Sequence, residues 1–164
     1  DAFLQAEKNV KDEIAKLMGI GGKRTPADFH RALGKIMWNN VGMGRTKESL
    51  TRAISEIQAL RKEFYSDLKV VGKEGEFNKN LEFAGRVVDY LELGELMAKD
   101  ALHREESCGG HFREESQTEE GEALRHDDEF MYVSVWNYKG DESWEMLKEP
   151  LNYEVIQPTQ RNYK

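Results

Sequence analysis

Cysteine, proline, long apolar runs and excess positive charge are all scarce in this sequence of 164 residues. The single cysteine, Cys108, cannot form a disulfide within the chain, which fits a reducing compartment. No apolar run approaches the roughly 20 residues that a membrane-spanning helix requires, and no signal-peptide pattern is present. The chain begins at Asp1 rather than at a methionine, which suggests an excised fragment or a processed product.

The charge balance is acidic, with a net charge of −7 from 31 acidic and 24 basic residues. Nucleic-acid binding needs a basic face that neutralises phosphates, so the sequence predicts no nucleic-acid partner. Hydrophobic residues make up 38%, and three Trp, six Tyr and seven Phe argue against disorder. A chain of this length can bury a core without disulfides, and it suits one domain or a domain plus an extension.

The first two-thirds of the chain has the pattern of amphipathic helices. Apolar residues recur every three or four positions, and glycines, Thr25-Pro26, Thr46 and Asn78 or Asn80 supply the breaks and caps. The expected helices cover residues 2–18, 25–41, 46–67 and 78–103. Their predicted core residues are Phe3, Val10, Ile14, Leu17, Phe29, Leu33, Ile36, Met37, Val41, Leu50, Ala53, Ile54, Ile57, Leu60, Phe64, Leu81, Ala84, Val88, Leu91 and Met97.

Short connections between such helices favour antiparallel neighbours. The predicted fold is therefore mainly α: an antiparallel three- to four-helix up-down bundle, followed by a long loop, a small β-hairpin and an extended tail. Residues 106–129 are acidic and nearly free of aliphatic side chains, which predicts the loop. Residues 130–138 alternate as a strand, 139–142 can turn, 143–148 can return as its partner, and 149–164 form the tail. We expect two units, 1–105 and 106–164, the second packing on the bundle or on a domain outside this sequence.

No self-contained active site is evident. Asp12, Asp28 and His30 suit solvated helix surfaces, and His103 suits a helix C-terminus, where a cation complements the dipole. The spacing of Cys108, His111 and His126 invites a metal or a Cys/His nucleophile, but a structural zinc site usually needs four ligands, and a nucleophile needs an organised base and oxyanion site. We therefore expect no catalytic, cofactor-binding or metal-binding residue in this chain.

Four segments together resemble one known family. The segment Arg104 to Glu115 resembles the R-x-E-S-R-G-x-H-x-R stretch near the end of succinate dehydrogenase and fumarate reductase flavoproteins, and Leu124 to Phe130 resembles their R-D-D-x-x-[WF] run. Upstream, Ile36 to Arg45 resembles the M-W-x-x-V-G-x-x-R helix end, and Tyr90 to Met97 resembles the L-E-L-x-N-L-M motif. The four stand in the family's order and span most of the chain, from about Thr25 to Phe130.

Two positions depart from the usual family pattern. Cys108 stands where the family more often has an arginine, within a stretch S-C-G-G-H-F-R-E-E that resembles bacterial quinone-linked members. Any electrostatic task of that arginine is therefore absent or taken over by another residue. Glu95 stands where the helix motif more often has asparagine.

The resemblance implies a helical C-terminal domain that packs on a flavin-binding domain of the same chain. The family interconverts succinate and fumarate on FAD and passes electrons through an iron–sulfur subunit to quinone at a membrane anchor, on the cytoplasmic side of the inner membrane in bacteria. Its flavin-binding and substrate-binding motifs lie upstream and are not found here, so the fragment is expected to be soluble and inactive. The candidate interdomain contacts are Arg45, Ser107, His111, Arg113, Arg125, Asp127 and Asp128.

Two other interpretations remain open from the sequence. The chain could be an independent helical module that binds a protein through an aromatic hairpin carrying Trp136 and Trp144. It could also be the helical end of an L-aspartate oxidase, a relative with no membrane partner. The length of the native chain and a flavin fingerprint near its start distinguish the module from the other two.

Overall fold

A computed structural model describes residues 1–73, 75–140 and 143–159. The helices among these residues are α1 (Ala2–Gly19), α2 (Pro26–Asn40), α3 (Lys47–Asp67), α4 (Lys79–His103) and α5 (Asp127–Phe130). The strands are β1 (Gly44–Arg45), β2 (Phe112–Arg113), β3 (Tyr132–Gly140) and β4 (Ser143–Pro150). The prediction of a mainly α fold with a small antiparallel hairpin is confirmed.

Local side chains fix where the long helices begin. Thr25 and Asp28 form a capping box at the start of α2: the Thr25 hydroxyl accepts from the Asp28 N–H, and the Asp28 carboxylate accepts from the Thr25 N–H. Hydrogen bonds from Thr25 lower the pKa of Asp28 to about 2. Thr46 caps α3 in the same way, and the side chain of Asn78, rather than that of Asn80, caps α4. The predicted helix starts are therefore confirmed to within a residue or so.

The core lies between α2, α3 and α4. Phe29 and Phe64 have no exposed surface and meet edge to face, with ring centroids 5.1 Å apart. Ile57 and Leu91 extend this cluster, and α4 adds Ala98 and Ala101 to a second one at the other end of the bundle. Burying each large side chain of this kind contributes about 1.5–3 kcal/mol, so this three-helix contact holds the domain together.

Three predicted core residues are not in the core. Phe3 and Val10 on α1 are 86% and 60% exposed, and Met97 on α4 is 52% exposed. The helix α1 meets the bundle near its C-terminal end, where Leu17 is buried. On α4, the neighbouring Glu95 takes the buried position instead, because its carboxylate has charged partners on α3 and one turn further along α4.

The segment that follows α4 was expected to be a long loop, but it contains defined structure. The strands β1 and β2 pair in parallel, with Gly44 opposite Phe112 and Arg45 opposite Arg113. The short helix α5 includes Phe130, which the sequence assigned to a strand, so that assignment is wrong. Consecutive acidic residues at 127–129 favour a helical first turn, because carboxylates interact well with the positive end of the helix dipole.

The hairpin packs against α4. Strands β3 and β4 are antiparallel, with Tyr132 opposite Pro150, and the second strand runs two residues beyond its predicted end. As the alternation predicted, Tyr132 and Trp136 share one face: the Trp136 Nε1–H donates to the Asp100 carboxylate at 2.8 Å, and the Tyr132 hydroxyl lies 2.8 Å from His103 Nε2. Asp141 and Glu142 of the predicted turn, and residues 160–164 of the predicted tail, lie outside the described residues.

Candidate functional site

The segment Arg104 to Glu115, which we call the charged motif, lies over the C-terminal end of α4. Arg113 is only 2% exposed, and its Nη1 donates to the carbonyls of Ala101 and Leu102 at 3.0 and 3.1 Å. These carbonyls belong to the last turn of α4, where they have no partner within the helix. A guanidinium here satisfies them and complements the negative end of the helix dipole.

The carboxylate of Glu115 connects this helix end to the start of α3. One oxygen accepts from Arg113 Nε at 3.2 Å, and the other accepts from the backbone N–H of Lys47 at 2.6 Å. Burial raises the pKa of Glu115, but the Lys47 N–H and Arg113 outweigh that effect and hold the pKa below its ordinary value. The acidic Glu115 therefore lies at the N-terminus of α3, the basic Arg113 lies at the C-terminus of α4, and the two side chains form an ion pair.

The hydroxyl of Ser107 fixes the backbone of Arg113. It accepts from the Arg113 N–H at 2.8 Å and donates to the Arg113 carbonyl at 3.1 Å. Ser107 has no exposed surface, and its own N–H donates to the carbonyl of Leu124 at 2.8 Å. The Ser107 hydroxyl thus bonds to the Arg113 backbone as a neighbouring strand would. It fixes the position from which the Arg113 guanidinium reaches the end of α4.

Arg104 and Glu106 tie the motif to the hairpin. The Arg104 guanidinium donates to Glu106 at 2.8 Å and to the carbonyls of Phe130 and Tyr132 at 3.0 Å each. Glu106 is 3% exposed, and its second oxygen accepts from the His126 N–H at 3.0 Å. The pair therefore holds α5 and the start of β3 against the end of α4.

His111 lies between two groups that together determine its tautomer. Its Nε2 is 2.8 Å from the carbonyl of Arg104, which can only accept, and its Nδ1 is 3.3 Å from Arg45 Nη1, which can only donate. Both contacts are satisfied by a neutral ring with the proton on Nε2. Burial lowers the pKa of His111 despite its bond to the Arg104 carbonyl, and the nearby cations of Arg45, Arg113 and Arg104 lower it further.

We expect His111 to make the stability of the domain depend on pH. A folded-state pKa below the ordinary value of 6.5 means that the stabilising contribution is present above that value and is lost as the pH falls through the lowered folded pKa. The free energy of unfolding should therefore fall on acidification, and His111→Gln should flatten the curve in this window. Urea unfolding at a series of pH values measures it. The exposed His30→Gln is the control, and an unchanged slope in His111→Gln would contradict the assignment.

Arg45 is the cation of this cluster with the fewest partners. It is half-buried, its Nε donates to the carbonyl of Gly42 at 2.9 Å, and it has no ion pair within the described part of the chain. Burial and the neighbouring Arg113 lower its pKa. Arg45 contacts His111 and lies opposite Arg113 in the β1–β2 pair, and Ser107 bonds to Arg113. The structure therefore brings together four of the seven predicted interdomain contacts.

The other three predicted residues lie apart from this cluster. Arg125 and Asp127 form a two-pronged ion pair with each other, and Arg125 also donates to the carbonyl of Thr159 at 3.1 Å. Asp128 on α5 is exposed. Three further members of the charged motif were not predicted as site residues, although all belong to the segment that carried the family resemblance: Arg104, Glu106 and Glu115.

A second charged network inside the bundle was not predicted. Glu95 is 1% exposed and accepts from Gln58 at 2.8 Å and Arg61 at 2.5 Å on α3, and from Lys99 at 2.7 Å. Lys99 also lies over the ring of Trp144 in the hairpin, 4.1 Å from its centroid. The sequence feature that could have indicated this network is Glu95 itself, which lies within an otherwise apolar stripe of α4. A carboxylate at a buried position needs charged or hydrogen-bonding partners.

The structure offers no support for chemistry at Cys108. Its backbone and that of His111 exchange hydrogen bonds across a turn that contains Gly109 at φ +58°, and both ring nitrogens of His111 already have other partners. A base with neither nitrogen free cannot activate a thiol. Within residues 1–73, 75–140 and 143–159, no three His, Cys, Asp or Glu side chains converge to hold a metal, and no helix is both long and apolar enough to cross a membrane.

Comparisons with known proteins agree with the motifs. The family model described as fumarate reductase flavoprotein C-term matches residues 30–163. One subunit of the CoM/CoB fumarate reductase of Methanothermobacter marburgensis is 34% identical over 68% of this chain and 19% of that protein. L-aspartate oxidase of Vibrio cholerae is 35% identical over 47% of this chain and 13% of that protein. Quinol fumarate reductase of Escherichia coli shares the fold, with a TM-score of 0.82 at 22% identity over 98% of this chain and 27% of that chain.

The structure defines a helical domain with a hairpin. The side chains of its charged motif bond mainly to backbone groups of the same domain. The family match over most of the chain adds the particular identity. The chain belongs to the family of fumarate reductase and succinate dehydrogenase flavoprotein C-terminal domains. It spans about a fifth of the length of the first curated relative that it matches.

Proposed function

We propose that this chain is the noncatalytic helical end of a flavoprotein subunit that interconverts succinate and fumarate. The family match supports the class of subunit, and the closed charged cluster supports the noncatalytic role. Arg113 and Ser107 bond to backbone groups of this chain, and His111 is held between Arg45 and a carbonyl. Groups engaged in this way stabilise a fold and are not available as acid, base or nucleophile.

The seven residues predicted to contact another domain differ in whether another domain could reach them. Arg113 and Ser107 are buried, so we propose that they support the contact surface from behind. Arg45 is half-buried without an ion pair in the described residues, and Asp128 is exposed. We propose these two, with His111 and the Arg125–Asp127 pair beside them, as the contacts of this domain with the flavin-binding part. We also propose that the chain consists of two units, residues 1–105 and residues 106–164.

The cofactor and partners follow from the same proposal. FAD would bind to the part of the subunit that precedes this domain, and the subunit would pass electrons through an iron–sulfur partner to quinone at a membrane anchor, on the cytoplasmic side of the membrane. The relatives named for fumarate reductase support the substrate, and the solved quinol fumarate reductase supports the quinone partner. The match to L-aspartate oxidase covers less than half of the chain. The two tryptophans that suggested a binding module instead contact Asp100 and Lys99 of α4.

The test compares this 164-residue chain with the full-length subunit. Flavin absorbance and electron exchange with succinate or fumarate should be absent from the domain, but both should appear in the full-length subunit. L-aspartate, supplied as the alternative substrate, should not reduce the flavin. Flavin binding or turnover by the domain alone would contradict the noncatalytic role, and reduction by L-aspartate would move the subunit to the oxidase family.

A further inference from the structure

An apolar groove runs between α1 and α4. We define the α1–α4 groove by the residues that line it most directly: Val10, Ile14, Leu17, Phe77, Leu81 and Gly85. Outside its own stretch of helix, Gly85 has no atom within 4 Å of where a side chain would begin, so the groove is open at that point.

The apolar residues around this groove are far more exposed than a folded surface usually allows. In the groove, Phe77 is 92% exposed and Val10 is 60% exposed. In the first turn of α1, Phe3 and Leu4 are 86% and 65% exposed. Isolated apolar residues on a surface are ordinary, but a contiguous apolar patch marks a surface that another element covers. On α1, an amphipathic helix of 18 residues, Leu17 is the buried residue, so most of its apolar stripe has no partner in the described chain.

We propose that the polypeptide preceding Asp1 in the full-length subunit covers the α1–α4 groove; this inference rests on the proposed function. The matching family model describes the C-terminal part of its proteins, and the first relative is about five times longer than the matched region. Most of that additional length therefore precedes the domain. It enters at the first turn of α1, beside the exposed Phe3 and Leu4.

The charges at the rim indicate an apolar rather than a strongly charged occupant. Three carboxylates line the groove, those of Glu13, Glu76 and Glu82. Glu13 pairs with Lys16 at 3.6 Å and Glu82 pairs with Arg86, so two of the three have partners on their own helices. A basic segment would gain little from carboxylates that are already paired. The covering element should therefore present aliphatic or aromatic side chains, and burying the groove should fix the orientation of α1.

Thiol labelling of the full-length subunit tests this covering. Val10→Cys and Phe77→Cys place thiols in the groove, and Ser55→Cys places one on the exposed polar face of α3 as the matched control. Labelling rates with a maleimide are measured by mass spectrometry of each peptide and divided by the rates in denaturant. We expect the two groove thiols to react at least about tenfold more slowly than the control thiol.

Two results would overturn the inference. Groove thiols that react as fast as the control would show an uncovered surface, and protection that disappears on dilution would show that a second copy covers it. Flavin absorbance of each variant separates this question from the proposed function. If the subunit contains flavin but its groove thiols react rapidly, only the covering of the groove is contradicted. If the full-length subunit contains no flavin, the proposed function is contradicted, whatever the labelling shows.

Discussion

Replacing Arg113 by alanine is expected to lower the free energy of unfolding by about 2–4 kcal/mol, because a buried acceptor left without its donor costs roughly 1–3 kcal/mol. The change leaves the carbonyls of Ala101 and Leu102 without their donor and takes one of the two partners from Glu115. Because Glu115 also accepts from the first N–H of α3, the loss should loosen two helix ends at once. Urea unfolding of the 164-residue chain measures the effect.

Two comparison variants separate this effect from the loss of any arginine. Arg52 forms an exposed pair with Glu48 on α3, and Arg52→Ala should cost no more than about 0.5 kcal/mol. Arg113→Lys keeps the charge but cannot present a planar fork to several acceptors, so its stability should lie between those of the wild type and Arg113→Ala. An Arg113→Ala variant as stable as Arg52→Ala would show that the cap on α4 contributes little.

The second large effect is expected at Glu95. Glu95→Ala leaves Arg61, 8% exposed, without the carboxylate it bonds at 2.5 Å, and a loss of about 3–5 kcal/mol follows for a broken buried pair. Lys99 loses its carboxylate as well, but it is exposed enough to reach water. Glu95→Gln keeps an acceptor without the charge and should recover part of the loss.

The same carboxylate should contribute to acid unfolding. Burial raises the pKa of Glu95, but Lys99, Gln58 and Arg61 outweigh burial and hold the pKa below the ordinary value of 4.5. Its contribution is therefore complete above 4.5 and is lost as the pH falls through the lowered folded value. Unfolding free energies of wild type and Glu95→Ala should converge in that acidic range. Glu92→Ala, an exposed neighbour, should change stability by less than about 0.5 kcal/mol, and parallel curves for Glu95→Ala would contradict the account.

Much of the helical part could be predicted because the relevant signals are local. Thr25, Thr46 and Asn78 cap the helices whose starts their residue types predicted, and each cap needs only groups within three residues. The stripe on α3 was also predicted correctly, since five of its six members are buried. The family resemblance was likewise available from short segments whose residues are adjacent in the chain, and the family match confirms it.

The sequence-based predictions were wrong where contacts between distant parts of the chain determine the structure. Periodicity showed that α1 has an apolar stripe, but it could not show that this helix meets the bundle mainly near its C-terminal end. The acidic stretch after α4 lacks aliphatic side chains and was interpreted as a loop, yet hydrogen bonds to the backbone hold it, as at Ser107 and Arg113. The composition of a segment predicts the burial of apolar side chains well and the burial of polar side chains poorly. A buried polar group is stable only when it has hydrogen-bonding partners, and composition does not show those partners.

The sequence alone determined the helices, their caps, the alternating hairpin and the family, since each depends on residues that are neighbours along the chain or repeat at a fixed spacing. The tertiary structure decided which charges have partners and which apolar surface has none. Lys47 and Glu115 are 68 positions apart, and Arg45 and His111 are 66 apart, yet each pair lies within hydrogen-bond distance. No local propensity encodes such a contact, because it forms only after helix packing has brought the end of α4 beside the start of α3.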